Sequence, residues 1–299
     1  MTNLAFLGLG RMGAPMAGRL SAAGFDLTVW SRTAAHAEAF ADRATAAASP
    51  AAAGQKADVA VTMLADGSVL EEVVLGRDGL AEGLGTGTVL VDMSTTGPAA
   101  ARKVAKALEA RGIDFVDAPV GGSVKAATEG TLAIMIGGEP AAVERARPVL
   151  DVLGDADRTW HVGPVGAGQA AKLMLNVVLG GVMAAIAEGF TLGRVLGLEP
   201  QDALEVLAGA SVARQAVQYK REQLASGDFT PADFRLALMH KDLRLALDAA
   251  HAARASLPAS ERVAELFAGA KGQGLADQDF SAVAAYVAGM ASSLAEQQP

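Results

Sequence analysis

A strand-like apolar run, Asn3–Leu7, leads without a break into Gly8-Leu9-Gly10-Arg11-Met12-Gly13, and an amphipathic stretch follows at once. Glycines at this spacing between a strand and a helix have separate duties. Gly8 permits a tight turn, Gly10 lets another group approach the backbone, and Gly13 lets the helix pack closely on the strand. A helix that starts there points unpaired N–H groups and the positive end of its dipole at whatever fills the turn, which suits a pyrophosphate. The segment therefore predicts a dinucleotide-binding βα unit with Gly8, Leu9, Gly10, Arg11, Met12 and Gly13 at the ligand. A glycine-rich turn with no ligand is the simpler alternative, and the order of strand, turn and helix weighs against it.

Short apolar runs at Asp26–Trp30, Asp58–Met63, Thr88–Asp92, Asp114–Asp117, Leu132–Ile136 and Thr159–Val162 read as further strands. Helical patterns lie among them at Met12–Ala23, Ala34–Ala41, Ser68–Val74, Pro98–Arg111 and Pro140–Leu153, with Gly112 and Gly154 placed as stops. Ala44–Ala53 reads as short helix and turn. Such alternation feeds an open, doubly wound parallel sheet. Past the turn-rich segment 161–168 the strand signals nearly vanish, and apolar helical patterns run almost to the C-terminus. The expected fold class is α/β: a Rossmann-type parallel sheet domain over residues 1–163, then an all-helical domain over 164–299. A helix from about Gln169 to Leu196 would join them and run about 40 Å at 1.5 Å per residue.

Composition narrows the partners. Hydrophobic residues make up 51% and charged ones 19%, enough to bury two cores. The 33 Asp+Glu against 25 Lys+Arg give a net charge of -8, which disfavours nucleic acid. With no cysteine there is no disulfide, thiol nucleophile or thiolate metal site, so a reducing cytoplasm is expected. No basic segment precedes the first apolar run, so no export signal is expected. The most apolar segment, Leu173–Ala187, holds 15 uncharged residues between Lys172 and Glu188. A membrane span needs roughly 18–20, so the segment is expected to be a buried helix and no membrane partner is expected. A helix apolar on most faces must be covered on most faces. A second copy is one cover, so a homodimer, possibly paired into a tetramer, is expected; a helical core within one chain is the alternative.

Two places speak to chemistry. The second strand ends in Ser31-Arg32-Thr33, without the carboxylate that accepts the ribose hydroxyls in NAD-binding domains. A guanidinium pairs with a 2′-phosphate through parallel hydrogen bonds, and Ser31 and Thr33 add hydroxyls, so NADP(H) is favoured over NAD(H). Arg32 as an ordinary surface charge is the alternative. Lys172 and Asn176 stand four apart on the apolar helix and share a face. A lysine in such surroundings must be paired or used, and an ammonium beside a developing alkoxide stabilises it and delivers a proton. The alternative is that Lys172 snorkels to solvent. His36, His161, His240 and His251 have no second ligand at metal spacing, so no metal is expected. Asp233 and Asp242, with Arg235 and Arg244, read as surface or interdomain ion pairs.

GLGRMGAPMAGRL, Asp117-Ala118-Pro119-Val120, GAGQAAKLMLN and Lys241-Asp242-Leu243 together resemble the β-hydroxyacid dehydrogenase family nearly end to end. The resemblance implies an oxidoreductase that interconverts a small carboxylate-bearing aldehyde or keto acid and its hydroxy acid, glyoxylate and succinic semialdehyde being the first substrates to test. It implies Lys172 as proton donor and acceptor with Asn176 beside it. Met63, Leu64 and Thr95 would line the adenosine-to-nicotinamide path, Lys241 would reach the cofactor, and Phe234 would close the site. After Asp-Ala-Pro-Val the family usually has Ser-Gly-Gly, whereas this chain has Gly121-Gly122-Ser123. The carboxylate would then rest on the N–H groups of Gly122 and Ser123 and the Ser123 hydroxyl. Leu175 stands where many members have a first Asn. NADPH-dependent imine reductases are an alternative, although they resemble the family with Asp or Tyr in place of the lysine. A non-catalytic NADPH-binding module is another.

Overall fold

The computed structural model describes residues 2–295, and for 291–295 the backbone alone. The chain divides into two compact units, one ending at Lys172 and the other starting at Leu173.

The first unit carries one sheet of β1 (Asn3–Leu7), β2 (Asp26–Trp30), β3 (Thr45–Ala46), β4 (Val59–Thr62), β5 (Val89–Asp92), β6 (Asp114–Asp117), β7 (Val120–Gly121), β8 (Leu132–Gly137) and β9 (Gly154–Gly163). The order is β3-β2-β1-β4-β5-β6-β8-β7, with β9 beside β8. From β1 to β6 every pairing is parallel. β8 then runs antiparallel to β6 and β7 and parallel to β9. The connecting helices are α1 (Gly13–Ala22), α2 (Ala34–Glu38), α3 (Pro50–Gly54), α4 (Gly67–Leu75), α5 (Leu80–Gly83), α6 (Pro98–Glu109), α7 (Val124–Glu129) and α8 (Pro140–Leu153).

Successive strand side chains serve opposite faces. Leu4, Phe6, Val59, Val61, Val89 and Val91 pack under α1 and α8 against Met16, Leu20, Val149 and Leu153. Ala5, Leu7, Ala60 and Leu90 pack on the other side with Leu70, Val74, Val104 and Leu108 of α4 and α6. Both faces are covered, which is why the central strands are apolar throughout. Pro98 and Pro140 open α6 and α8, where the missing N–H costs nothing.

The structure departs from the sequence reading in short pieces. Thr45–Ala46 is an edge strand on β2, and the helix after it begins at Pro50 with the Ser49 hydroxyl accepting from Ala52 N. α5, α7 and β7 are also additions, each too short to show a period. Gly112 has φ +67 and donates to Glu109 O, as a helix stop should. Gly154 also stops its helix, its N–H donating to Leu150 O, but it does so in extended backbone, at φ -107, and it begins β9, where a Cβ would press on Ile134 and Thr159.

The second unit is helical. α9 (Ala167–Val195) begins in the first unit and continues into it, followed by α10 (Pro200–Gly209), α11 (Arg214–Tyr219), α12 (Arg221–Ser226), α13 (Leu236–Ala252), α14 (Pro258–Ala270) and α15 (Val283–Ala295). Met183, Ile186, Ala187 and Phe190 of α9 meet Leu204, Val217, Met239, Leu243, Phe267 and Phe280 in its core. Within this chain α9 is buried along one side, and Met174, Val178, Leu192 and Val195 on the other side stand exposed. Among the described residues α9 is the helix long and apolar enough to cross a membrane, by length and composition alone.

Candidate functional site

In the first unit the sequence-singled residues gather at the C-terminal ends of the strands. The order reverses between β1 and β4, since the chain leaves β1 toward β2 on one side and returns to β4 on the other. Ligands bind at such switch points. Gly8 turns there with φ +103, its N–H donates to Trp30 O at 2.9 Å, and a Cβ on it would meet the carbonyl of Met63. The loop holding Met63 and Leu64 is thus pressed against the glycine turn. A Cβ at Gly13 would run into the Gly8 carbonyl. Gly10 is exposed, with nothing within 4 Å of where its Cβ would stand. Leu9 is buried, Arg11 exposed, and Met12 sits at the start of α1, which among the described residues has no side-chain cap and no acidic residue in its first turn. The positive end of the α1 dipole and the room above Gly10 fit a dinucleotide pyrophosphate. Ser31, Arg32 and Thr33 follow β2, with Arg32 and Thr33 exposed.

The ends of β5 and β6 carry two carboxylates to which the sequence reading gave no role. Asp92 Oδ1 accepts from Thr62 Oγ1 at 2.9 Å and from Ser94 Oγ at 2.6 Å, and Oδ2 accepts from Thr96 Oγ1 at 3.0 Å. Ser94 Oγ accepts in turn from Leu64 N at 2.8 Å. Thr95, half-buried, sits inside this loop. Asp92 pairs in register with Asp117, and both are fully buried. Burial pushes both carboxyls up, Asp117 to about 6, and the nearby Asp92 charge adds to the Asp117 shift. Asp117 Oδ1 accepts from Gly166 N at 2.7 Å and Oδ2 from Gln169 N at 2.8 Å, at the start of α9. Lys172, half-buried, follows Gln169 within one turn. This bonding joins the first turn of α9 to the sheet, consistent with the first compact unit running on to Lys172. Gly121 ends β7, Gly122 has φ +141, and the Ser123 hydroxyl accepts from Ala126 N at 3.5 Å as the cap of α7. The capping uses an oxygen lone pair, so what the Ser123 hydroxyl can offer a ligand is its O–H.

In the second unit Asn176 Nδ2 donates to Asp242 Oδ2 at 2.6 Å, and Lys241 Nζ stands 3.0 Å from Asp242 Oδ1. Asn176 and Asp242 are buried, and Lys241 is partly exposed. Of the reading of Asp242 as a surface or interdomain ion pair, the ion pair is present, with Lys241, and the surface position is corrected to a buried one. Phe234 packs on Phe280 with ring centroids 5.9 Å apart. The Phe234 backbone is set by Asp279, whose Oδ2 accepts from Asp233 N at 3.0 Å and Phe234 N at 3.3 Å. Lys220, fully buried, donates to the same Oδ2 at 2.9 Å. Burial opposes the Lys220 charge, but the Asp279 hydrogen bond and charge outweigh it and raise the ammonium pKa. Asp233 pairs with Lys220 and Arg235 with Asp277, while Arg244 pairs with Asp248. Among the described residues no group of three His, Asp or Glu is placed to hold a metal. His161 Nε2 shares a hydrogen bond with Gly138 O, and His36 and His251 are exposed.

Two family models match the chain: the NAD binding domain of 6-phosphogluconate dehydrogenase over residues 3–163, and the NAD-binding domain of NADP-dependent 3-hydroxyisobutyrate dehydrogenase over residues 166–287. The 2-(hydroxymethyl)glutarate dehydrogenase of Eubacterium barkeri is 38% identical over 283 residues, covering 94% of this chain and 93% of that one. The chloroplastic glyoxylate/succinic semialdehyde reductase 2 of Arabidopsis thaliana is 36% identical over 94% of this chain and 78% of that one. The solved structure of Mycobacterium tuberculosis 3-hydroxyisobutyrate dehydrogenase with L-serine superposes with a TM-score of 0.85 at 38% identity, over 95% and 98% of the two chains. Solved imine reductases and reductive aminases are more distant, at 21% to 25% identity. With the glycine turn at the switch point, a lysine on the first long helix and these relatives in agreement, the chain belongs to the β-hydroxyacid dehydrogenase family of NAD(P)-dependent oxidoreductases.

Proposed function

We propose that this protein is an NADPH-dependent reductase of small aldehyde or keto acids, with oxidation of the hydroxy acid as its reverse, and that Lys172 is the proton donor and acceptor. The observation that carries the reading is the placement of Lys172 one turn past a helix start bonded to the end of β6, on the strand-end edge that also bears the glycine turn. When bound, the nicotinamide supplies or receives the hydride. The Lys172 ammonium donates a hydrogen bond to the substrate oxygen as negative charge grows on it, then gives up the Nζ proton; in oxidation the neutral amine takes a proton from the hydroxyl. Asn176, its amide nitrogen committed to Asp242, offers Oδ1 to orient an ammonium or a substrate hydroxyl.

The Ser31-Arg32-Thr33 end of β2, without a carboxylate, supports NADPH over NADH. Met63, Leu64 and Thr95 line the cofactor path beside the glycine turn. Gly121, Gly122 and Ser123 receive the substrate carboxylate. Glyoxylate and succinic semialdehyde are the leading substrates. Without cysteine the chain suits a reducing cytoplasm. The exposed apolar row of α9 supports a homodimer.

The test is steady-state turnover of glyoxylate, succinic semialdehyde, 3-hydroxyisobutyrate and a cyclic imine, each with NADPH (or NADP) and NADH (or NAD). The expected result is a preference for the acids and for the phosphorylated cofactor. Lys172→Ala is expected to lose about a thousandfold in kcat/KM while NADPH affinity stays. A variant near wild type, or NADPH bound but never consumed, sinks the reading.

A further inference from the structure

We infer that Asp117 and Gln169 form a clamp that sets where Lys172 stands, fixing the first turn of α9 to the ends of β5 and β6 in one position. The inference rests on Lys172 being the proton donor.

The N–H groups at a helix start have no partner within the helix. In α9 two of them are taken by Asp117, Gly166 N by Oδ1 and Gln169 N by Oδ2, from a strand that lies 49 and 52 residues back in sequence. Gln169 returns the contact. Its Oε1 accepts from Thr96 N and Gly97 N, both at 3.0 Å, and its Nε2 donates to Ser94 O at 2.8 Å. Five hydrogen bonds thus hold one turn of helix, and neither Gln169 nor Asp117 has any exposed surface.

The glycines around them show how close the approach is. A Cβ at Gly168 would fall on the carbonyls of Met135 and Asp117, and one at Gly137 on the Asp117 carboxylate and Gly168 N. Gly166 makes the turn into the helix with φ +91. Lys172 stands three residues past Gln169, about 4.5 Å along a rigid helix, so a shift of the first turn reaches the amine almost undiminished. A misplacement of about 1 Å at a reacting group costs on the order of a hundredfold in rate. Gln169 also grips the loop that carries Thr95, so one clamp sets two members of the site. Asp117 and Gln169 touch neither proton nor hydride in this account; they are positioning residues.

Asp117→Asn and Gln169→Met are the variants, and Gln169→Met keeps the measurement possible where Asp117→Asn folds poorly. In the free protein each is expected to speed amide exchange over residues 166–172 while β1 and α1 keep their protection. With glyoxylate or succinic semialdehyde, kcat is expected to fall about tenfold or more and the NADPH dissociation constant to move less than about twofold. In the Lys172→Ala background neither variant should lower kcat further, because with the amine absent there is nothing left to misplace. Unchanged exchange overturns the clamp. Faster exchange with unchanged kcat, or a full further loss in the Lys172→Ala background, overturns its positioning role. If Lys172→Ala itself keeps the wild-type rate, the catalytic reading fails, and the exchange result still reports on the clamp alone.

Discussion

At the end of β6 a carboxylate lies out of reach of water, and the surroundings only partly make up for the lost hydration. Burial raises Asp117 to about 6 from its ordinary 3.8; the two α9 amides pull it down, and Asp92 on β5 pushes it further up. Arg102 on α6 donates from its guanidinium to Val165 O near this helix start, and it is exposed. The sign follows from proton counts. Between 3.8 and about 6 the folded chain holds a proton on Asp117 that the unfolded chain has lost, so this group's contribution to stability grows as pH falls through 6 and levels off below 3.8. Taking wild type from pH 7 to about 4.5 should therefore gain about 2 kcal/mol relative to Asp117→Asn, read from urea unfolding of both proteins at each pH. A difference between the two proteins that does not change with pH means the carboxylate is ordinary.

The β1–turn–α1 element separates two duties that the sequence assigns to its glycines. Gly13 is needed by the fold, since a Cβ there meets the Gly8 carbonyl and comes within 3.2 Å of the Phe6 ring. Gly10 has nothing near it, so it is needed by the ligand alone. Gly10→Ala is accordingly expected to keep Tm within about 2 °C and weaken NADPH binding about tenfold or more, whereas Gly13→Ala loses about 1–3 kcal/mol of stability. Thermal melts and a fluorescence titration of the two variants check this; equal losses of stability would erase the distinction. The same element shows what was legible. β1 and β6 fall on the sequence-read boundaries because their buried interiors show as apolar runs, and β2 does so because buried Leu27 and Val29 alternate with more open neighbours. Thr45–Ala46, Val120–Gly121 and α7 leave too few residues for any period. Asp92, Asp117 and Asp242 were out of reach for another reason. A carboxylate closing an apolar strand or flanked by Lys241 and Arg244 looks like a solvated turn or surface charge, and only tertiary packing takes the water away.

For the whole molecule, the decisive surface is the side of α9 that its own unit leaves bare. Met174, Val178, Ala185, Gly189, Leu192 and Val195 are exposed, at spacings that keep them within one side of the helix over about 32 Å. Glu188 is the one charge in that row. Small residues at 181, 185 and 189 let another backbone come close, and the large ones at the ends supply apolar area. A row that meets its own copy across a two-fold axis is self-complementary, so one such helix suffices to make a closed dimer. Sedimentation equilibrium at micromolar concentration should therefore give twice 30.2 kDa, or a multiple of that dimer. Val178→Lys would place a charge in the middle of the contact without touching the buried face of α9, and it should shift the protein toward the monomer while the melting temperature of the sheet unit holds. If wild type sediments at 30.2 kDa, or if Val178→Lys leaves the assembly intact, this row is not the interface and the apolar side of α9 needs another cover.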